Sequence, residues 1–201
     1  MKSGIVFDLD GTLYDARGVN EENRSAALQA VSEFFSMPLE KAGVLIQEMQ
    51  DLDDVASISR AVSMLGVPSS IFAGHQLRLI NPELHIKEDP DLVSLVEEAR
   101  RKYRLALYTN TRREFVPRII RCIGFPLDAF DIVVAGGDVK DPKPSVLELR
   151  KVVEQLGILP VDCFAVGDRW TVDLEPATKI GMTPVHVRSR DELVEWLRSI
   201  I

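Results

Sequence analysis

Cysteine is almost missing from this 201-residue chain; Cys122 and Cys163 are the whole complement. Neither has a CxxC or Cys/His pattern around it, so both read as buried thiols, not as a disulfide framework or a thiolate metal centre. Histidine is as scarce, and His75, His85 and His186 lack ligand spacing, which leaves them structural or surface roles. Positive charge is in deficit: 24 Lys and Arg face 31 Asp and Glu, for a net charge of −7. That balance argues against a nucleic-acid partner, although a small phosphorylated ligand needs only a locally positive site. No apolar run approaches the ~20 residues of a membrane span, and Met1-Lys2-Ser3 leads straight into an apolar stretch, so no signal peptide is expected. The expectation is a soluble, cytoplasmic protein, monomer or homodimer, with no membrane partner. At 46% hydrophobic and 27% charged, the composition is globular, and the length suits a core domain with a smaller attachment.

The stretch around which the rest is organised is Phe7-Asp8-Leu9-Asp10-Gly11-Thr12-Leu13-Tyr14-Asp15. Gly4-Ile5-Val6-Phe7 is a short apolar run with the pattern of a buried strand, and two carboxylates stand where it ends. Asp8 and Asp10 share a face if the strand continues, and Gly11 and Thr12 then offer a tight turn and a small hydroxyl. Two crowded acids resist ionising together, which points to a metal, a shared proton, or both.

From Asn20 to about Leu84 the periodicity is helical: a helix capped by Asn20 to about Phe35, one from Pro38 to about Asp51, one capped by Asp53 and stopping at Gly66, and one from Ser69 to Ile80. Ala27, Leu28, Val31, Phe34 and Phe35 mark one face of the first. From Asp89 onward helices and strands alternate. Strands are expected at Arg104 to Tyr108, Asp131 to Ala135, Cys163 to Val166 and Thr183 to Val187. Helices are expected from Pro90 to Lys102, Arg113 to Ile123, Lys143 to Leu156, Val172 to Ile180 and Asp191 to Ile200, with caps or stops at Asp89, Gly124, Gly157, Gly181 and Ser189. This predicts an α/β fold with a mostly parallel, doubly wound sheet. The strands end in Asp8 and Asp10, in Thr109 and Asn110, and in Gly167 and Asp168, and ligands bind beyond the carboxyl ends of such strands, so these residues should converge.

Taken together, these residues resemble the haloacid dehalogenase-like hydrolase superfamily, in its branch with a helical cap inserted after the first strand. The likeness spans essentially the whole chain: Asp8-Leu9-Asp10-Gly11-Thr12, then Thr109-Asn110, then Lys143-Pro144, then Gly167-Asp168 with Asp173 five residues on. A Thr-Asn or Lys-Pro pair alone means little; all four in order are specific. The resemblance implies a five-stranded, Rossmann-like sheet of order 5-4-1-2-3, a catalytic core of residues 1–15 and 86–201, and a cap of residues 16–85. It also implies a phosphatase acting on a small phosphomonoester such as phosphoglycolate, a sugar phosphate or a nucleoside monophosphate.

In that reading Asp8 is the nucleophile that forms an aspartyl-phosphate, and Asp10 protonates the leaving alcohol and then deprotonates water. Mg²⁺ is expected on Asp8, the backbone carbonyl of Asp10, and Asp168, with Asp173 orienting its waters or Lys143. Lys143 adds positive charge, and Thr109 and Asn110 bind the phosphate. Lys140 is a second claimant for the lysine; Lys143 is favoured because Pro144 suits the first turn of a helix. Trp170 either narrows the site or packs, and Arg112 and Arg113 read as solvated helix-start charges. Asp10 argues against a dehalogenase, whose halide needs no proton. A sugar phosphomutase and a non-catalytic binding module remain alternatives. In the cap, Arg17, Arg24, Arg60 and Arg78 are candidate substrate readers on charge alone.

Overall fold

The computed structural model describes residues 3–52 and 57–201. In chain order its elements are β1 (Ser3–Phe7), α1 (Arg17–Phe35), α2 (Leu39–Asp51), α3 (Ile58–Met64), α4 (Ser69–Leu79), α5 (Pro90–Arg100), β2 (Tyr103–Arg112), α6 (Val116–Ile123), β3 (Ile132–Gly136), α7 (Val146–Leu156), β4 (Cys163–Gly167), α8 (Glu175–Lys179), β5 (Thr183–His186) and α9 (Arg190–Ile200). The chain divides into two compact units, one of residues up to Ala16 with Pro82–Ile201 and one of Arg17–Asn81.

In the first unit the five strands form one sheet ordered β3-β2-β1-β4-β5, with every pairing parallel. Read from the opposite edge this is the expected 5-4-1-2-3. Parallel neighbours need a crossover, and helices supply it while covering both faces. On one face Val6, Ala106, Tyr108, Val134 and Ala165 meet Leu149, Val152, Val153 and Leu156 of α7 and Ala177 of α8. On the other, the Trp196 ring of α9 packs edge-on against Phe7 and Phe164, with centroids 6.5 and 5.5 Å away. β1 is central and its Ile5, Val6 and Phe7 are fully enclosed, each such side chain stabilising the fold by roughly 1.5–3 kcal/mol. The residues that follow β1 are therefore anchored from both sides of the sheet.

Among the described residues the second unit has helices as its regular elements, α1 to α4. Ala26, Ala27, Ala30 and Val31 of α1 form its buried face, against Ala42 and Ile46 of α2, Ala61 and Val62 of α3, and Phe72 of α4. Small side chains at this spacing let neighbouring helices approach closely. The expected stripe is corrected at its end: Phe34 and Phe35 are each 41% exposed and stack edge-on with each other, centroids 4.9 Å apart. His75 is buried and structural. Arg78 donates to its Nδ1 at 2.7 Å, so its Nε2 carries the proton donated to Glu33 at 2.9 Å.

Several boundaries differ from expectation for identifiable reasons. α1 begins at Arg17, before Asn20, because Val19 is itself buried in the first turn. The Asp53 cap lies outside the described residues; α3 is capped by Ser57, whose side chain accepts from Arg60 N. The unit boundary falls at Asn81 and Pro82, not after His85, because the turn Pro82–Leu84 packs on α6, where Arg118 grips both Glu83 oxygens at 2.9 and 2.6 Å. β2 runs on to Arg112, with a register shift after Tyr108, so Thr109 and Asn110 lie within it. α7 begins only after Ser145, which accepts from Glu148 N at 3.2 Å. Before α8 the chain makes a wide π-type turn at Trp170–Leu174, where Pro176 has no N–H to extend a regular helix backwards. Of the two free cysteines, Cys163 is buried as expected but Cys122 is only half-buried. Among the described residues no helix is long and apolar enough to cross a membrane.

α5 starts at Asp89, whose side chain accepts from Leu92 N at 3.1 Å while Arg190 of α9 donates to its oxygens at 2.5 and 2.7 Å. The Arg190 guanidinium holds the Asp89 carboxyl below its ordinary value. A depressed acid stabilises the fold above its unfolded pKa, and that contribution is lost as pH falls through the folded value. Asp89→Asn keeps a capping oxygen but removes the charge. It should lower stability at pH 7 by no more than about 1 kcal/mol, the pair being partly solvated, with the difference from wild type closing as pH falls through the depressed folded value; thermal unfolding followed from neutral into acid pH checks this.

Candidate active site

Asp8 follows β1 directly and its amide donates to Val166 O at 2.9 Å, so the strand pairing is carried one residue further. The chain then folds back, with Leu13 N donating to Leu9 O at 3.0 Å. Gly11 at this turn has φ 84°, and a Cβ there would collide with the Asp168 carboxylate, so only glycine fits. The turn brings Thr12 Oγ1 to Asp8 Oδ2 at 3.2 Å.

Lys143 is buried, and its ammonium lies 2.5 Å from Asp8 Oδ1 and 2.6 Å from Asp173 Oδ1, over the Tyr108 ring at 5.4 Å. Lys140 is solvent-exposed. The helical rationale for Lys143 is corrected: Pro144, joined to it by a cis peptide bond, precedes the Ser145 cap and is not in α7. What holds the lysine is Asn110, whose side chain donates to Lys143 O at 3.0 Å and accepts from Lys143 N at 2.9 Å. The Asn110 amide, expected on phosphate, is thus engaged by the lysine's main chain. Asp173 is presented by the wide turn, and its second oxygen accepts from Arg169 N at 3.1 Å. Gly167 permits this approach, since a Cβ there would lie 2.5 Å from Asp173 Cβ.

Asp10 is held by hydroxyls. Tyr14 donates to its Oδ1 at 2.5 Å, and Thr109 at 3.2 Å and Thr111 more closely donate to its Oδ2. Thr109, also expected on phosphate, therefore spends its proton on Asp10. Tyr14, Thr111 and the Thr12 contact were not singled out from sequence. A signal existed for Thr111, which shares a strand face with Thr109 two residues earlier; the reach of Tyr14 depends on the turn at Gly11. Arg112 pairs with Glu114 at 3.2 Å and Arg113 with Asp138. Trp170 is half-exposed and edge-on to His186, centroids 6.2 Å apart, and His186 Nε2 lies 2.8 Å from Asp168 O.

Burial pushes the Asp8 carboxyl up to about 8; Lys143 opposes this, and Asp173 and Asp10 add to it. Burial alone would lower Lys143, but Asp173 and Asp8 outweigh it and hold the ammonium above its ordinary value. Asp168 is raised by burial and then by Asp173. Lys143 is thus in contact with two of these acids, Asp8 and Asp173, while Arg169 and then Lys143 only partly offset the rise at Asp168. Asp168 Oδ1 is buried with no hydrogen-bond partner among the described residues, and Asp8, Asp168 and Asp173 each offer an oxygen within 4.8 Å of the others. An all-oxygen donor set with an orphaned carboxylate oxygen fits a hard divalent cation. Asp8 and Asp173 each have both oxygens engaged, so the open acceptor in this set is Asp168 Oδ1.

The profile of the haloacid dehalogenase-like hydrolases matches residues 2–181. The chain belongs to that family. A rat N-acylneuraminate-9-phosphatase is 30% identical over 102 residues, 49% of this chain and 39% of the relative, so the match spans well under half of that protein. A glyceraldehyde 3-phosphate phosphatase of Methanothermobacter thermautotrophicus is 27% identical over 97% of this chain and 88% of its own length. Among solved structures, a haloacid dehalogenase-like phosphatase from Thermococcus onnurineus superposes with a TM-score of 0.67 at 20% identity, covering 98% of this chain and 97% of that one. At that identity the superposition speaks for the family's fold alone.

Lys143→Met should strand Asp8 and Asp173 as unpaired buried acids and cost about 3 kcal/mol at pH 8. Without the ammonium that opposes the effect of burial, the Asp8 carboxyl rises further, so the loss should shrink at pH 5, where Asp8 takes up a proton. Urea unfolding at the two pH values measures this.

Proposed function

We propose that this family member is a Mg²⁺-dependent phosphatase that hydrolyses small phosphomonoesters through an aspartyl-phosphate on Asp8. The observation that carries the reading is the buried Asp8 carboxylate 2.5 Å from the Lys143 ammonium, with a second acid, Asp10, held apart from that pair by its own set of hydroxyls. Asp8 attacks phosphorus. Lys143 offsets the negative charge of the incoming phosphate and of the transferring oxygens. Asp10 gives its proton to the leaving alcohol and later takes one from the attacking water. Asp173 and Asn110 keep Lys143 in place from its two ends. Thr12 holds the Asp8 oxygen that Lys143 does not. Asp8, the Asp10 carbonyl and Asp168 would hold Mg²⁺, which when bound relieves the repulsion between carboxylate and phosphate and supplies Lewis-acid charge. The phosphatase relatives support a small phosphorylated substrate.

The test is phosphate release from a panel of phosphomonoesters with Mg²⁺ or chelator. Turnover should require metal and vanish in Asp8→Asn; activity surviving in that variant would rule out the covalent route, and no turnover of any ester would rule out the phosphatase reading. Metal binding has its own readout: Mg²⁺ should raise the Tm of the wild type, and Asp168→Ala should lose most of that shift.

A further inference from the structure

The Asp10 carboxylate, partly buried, is the acceptor for three separate hydroxyls. An ionised carboxylate has about four acceptor sites, two on each oxygen. Thr109 and Thr111 fill those of Oδ2, and the Tyr14 phenol fills one of Oδ1. The site left open is on the oxygen that Tyr14 grips. Tyr14 is four residues from Asp10 in the turn closed by Gly11 N donating to Tyr14 O at 3.1 Å, so the phenol is fixed by the same backbone that fixes the acid.

We infer that Tyr14 is a positioning residue for proton transfer: with Thr111 and Thr109 it locks the Asp10 carboxylate so that one site, on Oδ1, exchanges the proton with leaving group and water. This rests on the phosphatase reading. In the first step the proton passes from Asp10 Oδ1 to the ester oxygen as its bond to phosphorus breaks and the bond from Asp8 forms. In the second, water bonds to phosphorus, its proton passes to Oδ1, and the Asp8–phosphorus bond breaks. The Tyr14 proton is never transferred.

A role in proton delivery is separable from a merely structural one by leaving group. An alkoxide needs the proton to depart, whereas 4-nitrophenolate does not, and kcat/KM reports only the first step. The experiment compares kcat/KM for 4-nitrophenyl phosphate and for the alkyl phosphomonoester that the wild type turns over fastest. Tyr14→Phe should lower the alkyl-to-aryl ratio by about tenfold or more, since positioned acid catalysis is worth 10²–10⁴ in total. Thr111→Val should shift the ratio the same way and Thr111→Ser should restore it. A ratio unchanged in Tyr14→Phe overturns the inference, whether the two rates fall together or not at all. If Tyr14→Phe does not fold, the Thr111 pair decides, an unchanged ratio in Thr111→Val overturning it. Wild-type inactivity on every ester fails the phosphatase reading itself and is thereby distinct.

Discussion

The buried ammonium of Lys143 between Asp8 and Asp173 is the interaction on which the rest of the site depends. A lysine that deep is costly unless its charge is met, and two carboxylates meet it at hydrogen-bond distance. Each partner is delivered by a different element: Asp8 by the central strand β1, Asp173 by the wide turn after β4, and the lysine by the segment before α7, gripped by Asn110 of β2. Three crossovers must therefore be in register before the pair exists. The sheet order, with β1 between β2 and β4, makes that possible.

The same arrangement leaves too much negative charge. Asp8 and Asp173 share one lysine, Asp8 is driven up by burial, and Asp168 keeps a buried oxygen without a hydrogen-bond partner among the described residues. A fold selected only for stability would remove such a cluster, since burying acids without full compensation costs free energy. Its presence where the strands end is what a site that recruits a cation and then a phosphate would require. Separation of roles follows from geometry. Asp8 is bound to an ammonium and one threonine, whereas Asp10, two residues on, is bound only by hydroxyls among the contacts described. Neighbouring acids in such different surroundings suit different chemistry.

The alternation of helices and strands, the acids after β1 and the helical insert were all legible from periodicity and punctuation, because local pattern and final structure agree there. Misreadings cluster where a long-range partner overrides local preference. Lys143-Pro144 looks like a helix start, yet Asn110 holds it outside α7. Thr109 and Asn110 look like a free polar strand end, yet β2 continues through them and their side chains are spoken for by Asp10 and Lys143. Phe34 and Phe35 fit the helical spacing, but the alanines of α1 make the tighter contact.

The sequence by itself determined the family, the parallel α/β architecture and the candidate acids and lysine, because residue type and order along the chain carry that information. Tertiary structure alone decided the partners. Which lysine is buried, which asparagine holds it, and which hydroxyls surround Asp10 are set by residues about 30 to 135 positions apart. The Tyr14 contact is close in sequence, yet it too required the left-handed turn at Gly11, whose space is bounded by Asp168 far along the chain. Spacing could nominate these groups; only packing could say what each one touches.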